Sequence, residues 1–223
     1  MTAKLSNLTK LEQQRYVEIL KKSQKRMNFN GSYYLTIFKD AVKQYDELTK
    51  RAEVLFETSK KDGTIGLTWY LKHAEIVDKM KLNEFIAVTF AAMFLECIIW
   101  DYAAVNTSQN FTETYLEKIN LLGKWQVIPK LVNNDKKIDI GQKAIALLKI
   151  LVNERNNIIH SKSQAVPDTY AEIKQIEKKG SEITIPETVE CVRGCIEGLK
   201  KVDTTNYWYF EDEVKHTVKF PTT

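Results

Sequence analysis

From Phe85 to Val105 the chain carries no charge except Glu96 and Asp101, and its apolar residues are not confined to one side of a helix. A helix that is apolar all round has to be enclosed, either by other helices or by lipid. The segment is long enough to span a bilayer, but acidic side chains near mid-bilayer are costly, so the expected setting is the centre of a helical bundle. The rest of the chain must then supply the enclosing faces. With 223 residues and 43% hydrophobic residues there is enough material for a sizeable core. Only eight Gly and four Pro punctuate it, too few for the frequent turns of a sheet, so an all-α fold is expected.

The periodicity fills in the elements. A first helix is expected over about Leu8–Met27, broken by Asn28-Phe29-Asn30-Gly31. A second, over Ser32–Lys60, places Ile37, Phe38, Val42, Tyr45, Leu48, Ala52 and Leu55 at steps of three and four. Asp62-Gly63-Thr64-Ile65-Gly66 closes that hairpin, and a weaker helical stretch runs through Trp69, Tyr70, Ile76 and Val77. After the apolar helix come two short ones, Thr112–Asn120 and Leu122–Val132, limited by Gly123 and Pro129. A loop through Asn133–Lys137 precedes a helix from Gly141 to His160, and Ser161–Asp168 reads as a connector. Ser181–Ile185 alternates like a brief strand until Pro186, which should occupy the first position of a last helix, Pro186–Val202. Asn206-Tyr207-Trp208-Tyr209-Phe210 forms an aromatic tail expected to fold back on the bundle. The expected organisation is therefore an N-terminal helical hairpin, 1–80, packed on a helical core, 81–223.

Arg155 is the residue that a packing account leaves unexplained. Ala144, Ile145, Leu147, Leu148, Leu151, Val152, Ile158 and Ile159 make one side of the 141–160 helix apolar. At about 100° per residue, Leu148, Leu151, Arg155 and Ile158 share roughly a quarter-turn, so Arg155 is expected near the centre of that face. An unpaired buried charge costs several kcal/mol, on the order given by ion desolvation, so Arg155 requires an acidic partner, a wet cleft or an anionic ligand. Asn156 and His160 lie together at the edge of the face. Glu96 is the second anomaly, a lone carboxylate in the helix expected to be most buried. Its expected partner is Arg155 or a polar group beside it, and the alternative is that it reaches solvent at the bundle edge.

The segment Arg155-Asn156-Asn157-Ile158-Ile159-His160 resembles the Arg-x4-His signature of the HEPN superfamily. The context is similar: the motif ends a long amphipathic helix, follows an apolar helix bearing one acid, and the intervening Leu116-Glu117-Lys118-Ile119-Asn120-Leu121-Leu122-Gly123-Lys124-Trp125 resembles the linking segment of those proteins. The resemblance covers about residues 80–205. It implies a helical bundle that forms a two-fold homodimer, with two motif helices facing each other across one composite cleft that Trp125 and Tyr102 would line. It also implies metal-independent RNA cleavage, with Arg155 and His160 as the catalytic pair, Asn156 supporting them and Glu96 holding the guanidinium. Neither a cofactor nor a metal is called for. As a toxin or antiviral effector, such a protein would need an antitoxin or a nucleotidyltransferase partner.

Other functions remain open on the sequence. Arg155 and His160 also suit simple charge capping of a helix C-terminus, and the same fold could be a non-catalytic dimer that binds nucleotide or RNA or serves assembly. The net charge of +4 is uneven: residues 1–81 hold 16 Lys/Arg against 10 Asp/Glu, and residues 82–223 hold 17 against 19. The densest basic run, Lys21, Lys22, Lys25 and Arg26, offers a weak RNA-binding surface or a solvated helix face. His73 and His216, each beside a lysine, read as surface residues. Cys191 and Cys195, four apart with no second ligand pair, read as small core residues. The first residues lack a continuous apolar segment, and a cytoplasmic location without membrane contact is expected.

Overall fold

The computed structural model of the chain describes residues 30–64, 66–133, 142–160 and 182–202. Among these residues there is no strand, and the fold is all-α. The elements are α1 (Asn30–Lys61), α2 (Leu67–Lys72), α3 (Ala74–Asn106), α4 (Gln109–Phe111) continuing into a π turn (Thr112–Leu116), α5 (Leu121–Val132), α6 (Gln142–Ile159) and α7 (Ile185–Val202). The expected 8–27 helix, the 161–168 connector and the 206–210 aromatic tail lie outside the described residues.

Helix α3 is the axis of the bundle. It is 33 residues long, starting eleven residues before the apolar stretch, because a short break at His73 rather than a glycine separates it from α2. By length and composition it could cross a membrane, yet half of its most apolar window is buried inside the molecule. Its buried positions include Ala87, Val88, Ala91, Ala92, Phe94, Leu95, Ile98, Ile99, Tyr102, Ala103 and Ala104, spread over most of its circumference. Helix α1 covers the largest share of them. Gly31 lies against Cys97 and Tyr34 packs on Phe90, so α1 runs antiparallel to α3. Gly31, expected in a break, is instead buried within the first turn of α1. Along α1, Leu35, Phe38 and Ala41 are buried, Val42 and Tyr45 are half-buried against the core, and Ile37 is exposed. Position 80, where the hairpin and core were expected to meet, falls inside α3.

The opposite side of α3 receives α5, α6 and α7. Asn120 caps α5 by accepting a hydrogen bond from the Gly123 amide, at 2.8 Å. The helix ends at Val132 as expected, with Pro129 inside its last turn. Only one intrahelical donor is lost there, which a helix near its end tolerates more readily than one at its middle. Helix α5 buries Leu121, Lys124, Trp125 and Ile128, and the Trp125 indole donates to the Leu95 carbonyl of α3 at 3.2 Å.

Helix α7 closes the bundle over α6. Of the strand-like run, residues 182–184 are not a strand, and Ile185 opens α7. The reason is a reciprocal cap. The Glu187 carboxylate accepts from the Thr184 amide and hydroxyl, both at 2.8 Å, while the Thr184 hydroxyl accepts from the Glu187 amide at 3.3 Å. Pro186 is consequently the second helical residue, not the first. A Cβ added to Gly194 of α7 would stand 2.9 Å from the Ala144 Cβ of α6, so the two backbones meet at a seam that only glycine permits.

Two outcomes follow from this packing. Gly194→Ala gains about 1 kcal/mol of helix propensity but overpacks the seam by about 1–3 kcal/mol, so a net loss is expected, read as a lower urea midpoint with unchanged slope; an unchanged or raised midpoint would show that α6 and α7 part freely. The hydrogen bonds from Thr184 hold the Glu187 carboxyl below its ordinary value of 4.5. A lowered folded value means that this cap's contribution is present above pH 4.5 and lost as pH falls through the folded value. Glu187→Gln should therefore lower stability at pH 7 and flatten the acid side of the stability profile, and identical wild-type and variant profiles would contradict that role.

Candidate functional site

Three helices meet at one carboxylate. Glu96 projects from α3, where its neighbours Leu95, Ile98 and Ile99 are buried. Its Oε1 accepts from the Lys124 ammonium of α5 at 2.9 Å, and its Oε2 accepts from Nη2 of Arg155 of α6 at 3.3 Å. The Glu96 side chain is 37% exposed, that of Arg155 23% and that of Lys124 only 5%. The group therefore extends from the core to the surface, with Lys124 innermost. One negative charge balances two positive ones, leaving the group cationic. The partnership expected between Glu96 and Arg155 is thus present in the structure.

Arg155 is not at the centre of the buried face of α6. That face is made by Ala144, Leu147, Leu148, Leu151 and Glu154, because α7 and α3 between them cover a sector rotated toward Glu154. Arg155 sits at its margin, half-buried. Its Nη1 donates to the Asn156 side-chain oxygen at 3.3 Å, and its Nε is buried with no hydrogen-bond partner among the described residues. A guanidinium has five N–H donors, so these two contacts leave several of them uncommitted among the described residues. Glu154 turns elsewhere: its carboxylate accepts from the Glu182 amide at 3.4 Å, tying α6 to the segment that leads into α7.

His160 lies just beyond the last residue of α6, exposed, with its amide donating to the Asn156 carbonyl at 2.9 Å. Its ring makes no hydrogen bond among the described residues. Asn156 is accordingly linked to Arg155 through its side chain and to His160 only through its backbone. Trp125 and Tyr102, expected to line a cleft, are instead 0% and 1% exposed. Trp125 is spent on the Leu95 carbonyl, and the Tyr102 hydroxyl accepts from the Asn133 amide nitrogen at 3.1 Å. Lys21, Lys22, Lys25, Arg26 and His216 lie outside the described residues. His73 is not a plain surface residue, for its ring packs on Trp69 with centroids 5.1 Å apart and its Nε2 is buried without a hydrogen-bond partner among the described residues.

Two buried charged residues, Lys124 and Glu154, escaped the sequence reading. Both carried a signal. Lys124 falls on the apolar spacing 121, 124, 125, 128, and Glu154 on the spacing 144, 147, 151, 154, so each is a charge at a core position.

Of the three cysteines, Cys191 and Cys195 are buried and Cys97 is half-buried. Cys191 and Cys195 are 0% exposed on α7, and contact with Cys191 together with burial holds the Cys195 thiol well above its usual range. Burial, with the carboxylates of Asp101 and Glu96 adding to it, pushes the Cys97 thiol up to about 11. Among the described residues no three His, Cys, Asp or Glu side chains are grouped to hold a metal ion. No family model matches the chain, and comparisons with curated proteins and with solved structures returned no match.

A thiol with a value near 11 is almost wholly protonated at pH 8, and only the thiolate reacts. Native alkylation with iodoacetamide at pH 8 should leave Cys97 unmodified over a time in which free cysteine reacts fully. Rapid labelling of Cys97 in the folded chain would show that this environment is misjudged.

Proposed function

We propose that this protein is a metal-independent endoribonuclease of the HEPN type, a cytoplasmic homodimer whose paired α6 helices form one composite site. The observation that carries this reading is the cationic group itself. Arg155 is held at the margin of the core by a carboxylate that two cations share, five residues before an imidazole that faces solvent at the helix end. A preorganised guanidinium with donors unpartnered among the described residues suits a phosphate oxygen, and an imidazole that faces solvent is placed to take up and give protons.

The chemistry uses only groups of the protein and the RNA. The ribose 2′-oxygen attacks the adjacent phosphorus, forming a P–O2′ bond as the P–O5′ bond breaks. One His160 takes the 2′-hydroxyl proton and the partner protomer's copy of that histidine gives a proton to the departing 5′-oxygen. Arg155 stabilises the extra negative charge on the phosphorane-like transition state. The products are a 2′,3′-cyclic phosphate and a 5′-hydroxyl. Asn156 keeps the guanidinium aimed, as its contact with Nη1 suggests. A ribonuclease of this kind acts as a toxin or antiviral effector and needs a neutralising partner, an antitoxin or a nucleotidyltransferase.

A second reading has its own observation. The His160 ring has no hydrogen-bond partner among the described residues to fix its tautomer, which is what a non-catalytic dimer binding nucleotide or RNA through Arg155 would show. Incubation of single-stranded RNA with the protein in chelator separates the two. Cleavage to 2′,3′-cyclic phosphate ends is expected, blocked by 2′-deoxy substitution at the cut and reduced at least about 100-fold by His160→Ala and by Arg155→Ala. Binding without cleavage favours the second reading; cleavage that survives both substitutions rules out this site.

A further inference from the structure

Lys124 stands out as a charge with no role in the chemistry above. Its side chain is 5% exposed, deeper than either of its partners, and its ammonium is committed to Glu96 at 2.9 Å. A lone Glu96–Arg155 pair would be electrically neutral, and its carboxylate would compete with any incoming phosphate for the guanidinium. With Lys124 on the other oxygen, the carboxylate is already compensated, and the Arg155 contact is a single one at 3.3 Å rather than a bidentate clamp. The Arg155 Nε remains buried and unpartnered among the described residues, so the guanidinium is anchored without being saturated.

We infer that Lys124 is a positioning residue that, through Glu96, keeps Arg155 fixed in place yet electrostatically free to receive a phosphate anion. Lys124 does not touch the anion. It removes the competing negative charge from behind the guanidinium, and it does so from the core, where solvent screening is weakest. The inference deepens the nuclease reading by naming the ligand chemistry and the tuning of that same site. It also stands apart from that reading, because any phosphate-bearing ligand at Arg155 would feel Lys124.

The experiment uses the full chain with two probes, inorganic pyrophosphate and a 2′-O-methyl oligoribonucleotide that cannot be cleaved. Lys124→Met replaces the ammonium with an apolar side chain of similar length. It should weaken both probes about fivefold to tenfold, the order expected for one charge lost at such a distance in a partly screened setting. The Arg155 Nε–H resonance should also shift, and Lys124→Arg should restore both affinity and resonance. Should Lys124→Met fail to fold, Lys124→Gln removes the charge while keeping a donor toward Glu96, and carries the same expectation. Wild-type affinity for pyrophosphate in the Met or Gln variant, an unmoved Arg155 resonance, or a wild type that binds neither probe overturns the inference. Lys124-dependent pyrophosphate binding without RNA cleavage by the wild type would sink the nuclease reading and leave this one standing. RNA cleavage with pyrophosphate affinity indifferent to Lys124 does the reverse.

Discussion

A helix with apolar side chains on nearly every face survives in water only when other helices wrap it, and α3 imposes that condition on the whole molecule. Helix α1 answers along one side, where it buries Leu35, Phe38 and Ala41 and sets Tyr34 on Phe90. Helices α5, α6 and α7 answer on the others. Burying each larger apolar side chain of α3, such as Phe94, Leu95, Ile98 and Ile99, is worth about 1.5–3 kcal/mol by transfer arithmetic. The same enclosure explains why its single mid-helix carboxylate matters. Glu96 cannot be left alone in such surroundings, so the sheath has to bring cations to it.

Those cations come from two different helices. Lys124 and Arg155 grip opposite oxygens of one carboxyl group, which fixes α5 and α6 relative to α3 by direction as well as by apolar contact. Hydrophobic packing alone is tolerant of small slides and rotations, whereas two cations sharing one carboxylate at the edge of the core are less so. The Trp125 indole reinforces the register beside it through the Leu95 carbonyl. What results at the surface is a guanidinium whose position is set from beneath, with Asn156 touching it from the side and His160 one short step beyond the helix end.

Much of the architecture could be read from residue spacing. The second helix, expected at 32–60, occupies Asn30–Lys61, and the motif helix, expected at 141–160, occupies Gln142–Ile159. These agree because their apolar periodicity is sustained over several turns. The start of α3 was hidden because residues 75–84 are rich in charge and because the break at His73 has neither glycine nor proline to mark it. Pro129 sits inside α5 without shortening it from the expected end at Val132, for a proline late in a helix sacrifices little. At the site, the anomaly of Arg155 and Glu96 was legible as misplaced charge. Their distance was not, nor was the meeting with Lys124, since its place in the apolar spacing 121, 124, 125, 128 marks a charge at a core position but not the carboxylate it meets. The rotation of α6 toward Glu154 depends on where α7 lands, and no spacing rule contains that.

The three members of the charged group are far apart along the chain: Lys124 is 28 residues and Arg155 is 59 residues from Glu96. Closing such spans requires α5 and α6 to dock on α3, so the carboxylate meets both cations only once all three helices are in place. A chain still emerging from synthesis, or one partly unravelled, therefore holds these charges as separate hydrated groups. The cationic centre exists only in molecules that have finished folding, and its appearance is a timer on their completion.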